Sequence, residues 1–548
     1  MVRRGIVAGL AFWIAVAAPA QDHQHPAGPP ETLDGWARGA MLFDGLGNFH
    51  RAVTTRSPQA QAYFDQGMRF LWAFNHDEAT RSFAKGAMLD PACAMCLWGV
   101  ALTLGPNYNM PMMTGARAIV GQAALRAAQA IPDARPVERA LIAAVATRYA
   151  GSTALDAGNI GPVLTAYADA MREVAAAYPA DADVQVLFAE ALMTANPWKL
   201  WTADGQPAAG TPEILATLER TLAASPAHPG ANHYWIHAVE ASRHPERALP
   251  SAERLVGMMP AAGHMEHMPA HIMQRVGRYE EAAEANRKGA AADLAYLKQT
   301  APPDYYPMYL IHNYQFLASA AAMEGRRAEA IEAARAVRSL ATDAMLTAMP
   351  GYDWQATCLF DVYVRFGLWA EMLAAPAPAA QLPGATINYH QSRAVALAAL
   401  GRASEAKAEL ATAATLIAAT PPDAVQAMNR AIDLYRIGQL RAEARIAGAE
   451  RGPAAAVPVL RRAIAIEDKL AYDEPQDEFF PTRHLLGAAL LASGDKTGAA
   501  RIFEEDLARN PANGWALYGL AVARGAGTES ALATAWAKAD TKLTSSAF

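Results

Sequence analysis

Ala60-Gln-Ala-Tyr-Phe-Asp-Gln-Gly-Met-Arg-Phe-Leu-Trp-Ala-Phe-Asn-His-Asp-Glu-Ala-Thr-Arg-Ser-Phe-Ala-Lys-Gly-Ala-Met-Leu-Asp-Pro91 is the stretch whose reading decides the fold. Counted from Ala60 as position 1, it places Tyr63 at 4, Gly67 at 8, Phe70 at 11, Ala79 at 20, Phe83 at 24 and Pro91 at 32. Bulky residues at 4, 11 and 24, small ones at 8 and 20 and a closing proline are the pattern of a tetratricopeptide (TPR) helix pair. The small residues let the two helices approach closely, and stacking pairs buries a core that one pair alone could not.

The pattern recurs along the chain. Gly263 to Arg287 gives Ala270 at 8, Gly277 at 15 and Ala282 at 20. Gly325-Arg-Arg-Ala-Glu-Ala330, Gly401-Arg-Ala-Ser-Glu-Ala406 and Gly494-Asp-Lys-Thr-Gly-Ala499 repeat the turn into the second helix, the last running on to Phe503 and Asn510-Pro511. Weaker units fill 92–150, 160–195, 353–375, 425–470 and 514–540, with insertions at 105–135, 196–211 and 300–307. The expected fold is all-α, a TPR-type α-solenoid: a right-handed superhelix of antiparallel helix pairs with a concave groove.

Composition sets the surroundings. Of 548 residues, 53% are hydrophobic and 18% charged, so the chain buries surface rather than staying disordered. Arg3-Arg4, an apolar run from Gly5 to Ala17 and Ala18-Pro-Ala20 read as a signal peptide over 1–20. Residues 21–56 then form a partly disordered N-terminal extension, 57–300 an N-terminal array and 301–548 a C-terminal array. A net charge of −6 without a basic block argues against nucleic acid as partner, and no later segment is apolar enough to span a membrane. The expected location is periplasmic or secreted. Three cysteines, Cys93, Cys96 and Cys358, allow at most one bridge; Cys93 and Cys96 read as a structural or oxidised pair, with thiol chemistry as the rival.

The chemistry lies in Asn232-His-Tyr-Trp-Ile-His-Ala-Val-Glu240 and Gly263-His-Met-Glu-His-Met-Pro-Ala-His271, two stretches holding five of the fourteen histidines. With Pro226 and Pro260 as closing prolines, His233, His237 and Glu240 occupy positions 5, 9 and 12, and His264, His267 and His271 positions 2, 5 and 9. These positions face the groove, and neighbouring first helices lie about 8–10 Å apart, so the two sets share one space. Glu190 at position 9 of an earlier repeat and His312 at position 2 of a later one extend the row.

Several imidazoles flanked by carboxylates suit a divalent transition metal, zinc, copper or iron. The expected metal residues are His233, His237, His267 and His271, with Glu240, His264 and Glu190 flanking. The alternative is a scaffold whose groove clasps a peptide or protein partner without metal. The loop Asn196-Pro-Trp-Lys-Leu-Trp201 either roofs the groove or simply packs on it, and Met265, Met268 and Met273 read as packing residues rather than copper ligands. HExxH, Gly-x-Ser-x-Gly, Walker-type and CxxCH motifs are absent, so no reaction follows from the sequence.

Phe74-Asn-His-Asp-Glu-Ala79, Asp90-Pro-Ala-Cys-Ala-Met95, Trp98-Gly99, Gly105-Pro-Asn107 and the two histidine stretches resemble those of exported bacterial TPR proteins of unassigned role, distantly similar to the tetratricopeptide repeat protein 38 group. The resemblance implies fold and location and carries no activity. Cys96 departs from it, since only the first cysteine is expected there, so the resemblance does not imply a redox role.

Overall fold

In the computed structural model the founding repeat is two helices joined by a tight turn, Pro58–Trp72 and His76–Leu89. Ser57 accepts a hydrogen bond from the Ala60 amide and Asn75 one from the Glu78 amide, which satisfies amides that a helix start leaves open. The structure describes residues 29–150, 154–300, 306–349 and 351–548. The expected leader at 1–20, residues 21–28 and most of the 300–307 insertion lie outside the described residues.

The repeat pattern has a direct packing cause. Phe83 at position 24 is fully buried between two glycines at position 8 of successive repeats, Gly67 and Gly99. A Cβ on either would fall 2.5 or 2.4 Å from its ring. Near the other end Phe503 sits between Gly487 and Gly519 in the same way, with a Cβ at either 2.2 Å from its ring. One wedge therefore locks three successive helices, and the array is an all-helical TPR-type solenoid.

At position 15 the chain must turn through the left-handed region. Gly277, Gly325, Gly401 and Gly494 do so with φ between +70° and +88°. In the first repeat the same slot is filled by Phe74, at φ +56°. A side chain there costs about 1–2 kcal/mol, and the reason lies at the site described below.

The superhelix closes on itself. The C-terminal turns reach the middle repeats: Pro511 lies against Gly277, Trp536 against Gly325, and Trp515 Nε1 donates to the Ala322 carbonyl at 2.9 Å. Residues 29–56 run across the helices as a strap, with Trp36 and Leu46 buried and Arg51 paired with Asp181 at 2.7 Å and Asp183 at 2.6 Å. One continuous apolar core links Trp36 to Trp515. No helix among the described residues is long and apolar enough to cross a membrane.

Cys93 and Cys96 are bonded and both buried, Cys93 heading the Ala94–Leu104 helix. So short a loop removes little freedom from the unfolded chain. Reducing it should cost about 2 kcal/mol, read as a lowered urea midpoint, and the fold should survive.

Candidate metal centre

Three first helices bring the histidines together. Pro229–Val239 carries His233 and His237 and leads into Glu240. The next first helix is split at Met268, because Pro269 offers no amide, into Gly263–His267 and Pro269–Arg275, which carry His264, His267 and His271. Pro307–Met323 carries His312. Gly263 is required at the start of its helix: a Cβ there would lie 2.0 Å from Asp293 Oδ1.

The expected meeting of the two histidine sets is observed. Ring centroids lie 4.9 Å apart for His233 and His264, 5.5 Å for His237 and His271, 4.6 Å for His267 and His271, and 4.8 Å for His267 and His312. Among the described residues three groups keep their ligand-type atoms within 4.8 Å of one another: His233/His237/His264, His267/His271/His312 and His237/Glu240/His271/Glu474. His237 and His271 each belong to two groups, so the centre is continuous.

The hydrogen bonds fix how the rings point. His233 Nδ1 donates to the Trp72 carbonyl at 2.5 Å, a helix-end oxygen with no partner in its own helix. His237 Nδ1 donates to Glu240 Oε1 at 2.7 Å and His271 Nδ1 to Glu240 Oε2 at 2.5 Å, with Glu474 also on the latter. His267 Nδ1 donates to Asn286 Oδ1 at 2.7 Å, since the Asn286 amide nitrogen is turned to the Ala282 carbonyl. All four imidazoles thus spend Nδ1–H on an acceptor behind them and turn Nε2 into the centre.

There the nitrogens face one another. His267 and His271 Nε2 are 2.6 Å apart and His233 and His264 Nε2 3.1 Å apart, while His237 Nε2 and His264 Nδ1 are buried without a partner. Burial drives His237 down to about 3 and His312 to about 4, and lowers His233, His264 and His267 as well, so these five rings are neutral. Burial also opposes charge on His271, but the Glu474 and Glu240 carboxylates outweigh it and lift that ring to about 10.

Aromatic walls exclude water. The Phe74 ring lies 4.3 Å from His233, 5.5 Å from His237 and 5.2 Å from His264, and Trp198 lies 5.4 Å from His237. Phe74 and Trp198 are two of the four non-glycine residues with positive φ among the described residues. Backbone strain is thus concentrated where two rings must press on one imidazole.

Two expectations change. Glu190 does not join the centre: its carboxylate accepts from Thr194 at 2.7 Å and pairs with buried Arg148 at 3.4 Å, and it belongs to none of the three ligand groups. Nor do the histidines line an open groove. His233, His267 and His271 are 0% exposed: Phe74 packs on His233, Phe316 on His267 and His271, Glu474 and Tyr472 close over His271 and Glu240, and Trp198 roofs His237. Met265, Met268 and Met273 pack in the apolar core. Glu474 is the residue the sequence reading missed; its signal was a break in helical period at Asp473-Glu-Pro-Gln-Asp-Glu478.

No protein-family model matches the chain, and no curated protein sequence matches it. Among solved structures it is similar to a human IFIT1 dimer with m7Gppp-AAAA, at 12% identity over 88% of this chain and 89% of that one, TM-score 0.32. It is also similar to the Cut9–Hcn1 hetero-tetramer of APC/C, at 13% identity over 86% and 72%, TM-score 0.28. Yeast Tom70 matches at 11% identity over 86% and 89%, TM-score 0.25. At this level of likeness they say nothing about the histidine centre.

Proposed function

We propose that this solenoid holds a divalent transition metal, zinc, copper or iron, in two adjoining imidazole triads, His233/His237/His264 and His267/His271/His312. The observation that carries the reading is the shared orientation: four Nδ1–H groups held from behind and four Nε2 atoms converging in a dry interior. Metal-bound imidazoles are held in this way, by an acceptor on the other ring nitrogen. Two such nitrogens on one tetrahedral ion at about 2.0–2.1 Å would stand roughly 3.3 Å apart, close to the His233–His264 separation of 3.1 Å. The unpartnered His237 Nε2 fits the same reading, because its Nδ1–H is spent on Glu240 and a buried lone pair needs a partner.

Glu240 acts as the shared outer carboxylate, orienting one ring from each triad. Glu474 is a further oxygen within reach of His271. A three-histidine set leaves one coordination position for water or a substrate atom. We further read the protein as exported: the leader pattern at 1–20 and the bonded cysteine pair suit an oxidising compartment.

Metal analysis of untagged protein tests the reading. Wild type should carry up to about two ions per chain, and His233→Ala/His264→Ala and His267→Ala/His312→Ala should each lose roughly half. The Co(II)-loaded protein should show tetrahedral absorption that each pair of substitutions alters. Wild type that stays metal-free after dialysis against zinc, copper and iron would overturn the proposal and leave a peptide-binding scaffold.

A further inference from the structure

A cavity adjoins the histidine centre. Gln315 follows His312 by three residues on one helix and Pro475 follows Glu474, and both line a cavity of about 150 Å³. Its floor holds Arg365, 2% exposed, with the guanidinium 3.8 Å over the Trp515 ring and 5.1 Å from that of Phe480.

What sets this cavity apart is an imbalance of partners. Arg441 on its wall is paired with Glu467 and Glu478. The wall's acids are likewise engaged: Asp361 accepts from Thr357 and Asn388, each at 3.2 Å, and Asp477 from Asn429 at 2.7 Å. Among the described residues Arg365 has no carboxylate in direct contact; Asp506 reaches it only through His484. Its Nη2 donates to His484 Nδ1 at 3.0 Å, a ring that donates in turn to Asp506, while Nε and Nη1 have no partner. Arg445, also on the wall, stands 5.5 Å over the Trp369 ring, with no ion-paired carboxylate among the described residues. Trp354 Nε1 and Gln315 Oε1 are buried there unpartnered as well.

A buried cation with its nearest counter-charge one ring away is costly, and a ligand that supplies an anion in direct contact offsets that cost. We propose that the cavity binds a small organic anion, its carboxylate or phosphate group forked onto Arg365, with Arg445 supplying the second positive charge. Guanidinium suits such a group because its donors match two oxygens at once. A cavity of this volume takes a ligand of roughly benzene size, so succinate, benzoate and inorganic phosphate are fitting probes. The proposal goes beyond the metal reading and stands without it.

Calorimetric titration of the full chain with each probe, at matched ionic strength and with and without zinc, is the test. At least one should bind saturably and raise the melting temperature; succinate or benzoate would mark a carboxylate site, phosphate alone a phosphate site. Arg365→Met should weaken that binding by tenfold or more and Arg445→Met by a smaller factor, both with native circular dichroism. If Arg365→Met fails to fold, Arg445→Met decides alone. No saturation by any probe up to about 10 mM, a concentration at which even weak millimolar sites fill, or unchanged affinity in the folded variants, would overturn the proposal.

Discussion

Phe83→Ala should lower the unfolding free energy by about 3–5 kcal/mol, and Phe503→Ala should do the same although it lies over four hundred residues away. Each ring is wholly buried between two glycines, so truncation opens a void with walls that are backbone and cannot collapse into it. The reverse change is as informative. Gly99→Ala and Gly519→Ala would set a methyl 2.4 and 2.2 Å from those rings, a clash relieved only by separating two helices. Urea unfolding of the four variants checks this. Losses under about 1 kcal/mol for the phenylalanines would mean that the wedge is not what joins the repeats.

The fold was legible because that wedge is local. Positions 8, 20 and 24 recur in sequence, and each states a helix contact within about one repeat. The histidine register was legible for the same reason: His233/His237 and His267/His271 belong to neighbouring repeats, so phase alone predicts their meeting. Glu190 shows the limit of phase. It occupies the expected position, but buried Arg148 from another helix claims its carboxylate, and no spacing announces that partner. Glu474 shows the complementary failure. It reaches His271 from two hundred residues downstream, through closure of the superhelix, which depends on small angles summed over many repeats. Phe74 stood in plain view in a glycine slot, and only the structure gives the reason: its ring covers three histidines.

Glu240→Ala should cost about 3–5 kcal/mol in the metal-free protein, the range for removing one member of a buried charged pair. The carboxylate is 1% exposed and accepts from His237, His271 and the Tyr472 hydroxyl, the last at 3.2 Å. Its loss leaves His237 Nδ1 and the tyrosine without an acceptor in a dry interior, and His271 with Glu474 alone. If the centre binds metal, the same change frees one ring of each triad to rotate, and affinity should fall by about 10–100-fold. Glu190→Gln separates the two effects. It disturbs a buried ion pair with Arg148 and should lower stability, yet it touches no histidine and should leave metal affinity unchanged. Stability measured by urea unfolding and affinity by competition with a chelator give both readouts on the same samples. Equal metal affinity in Glu240→Ala and Glu190→Gln would remove Glu240 from the centre. A Glu240→Ala protein as stable as wild type would show that the imidazoles are held by something other than this shared carboxylate.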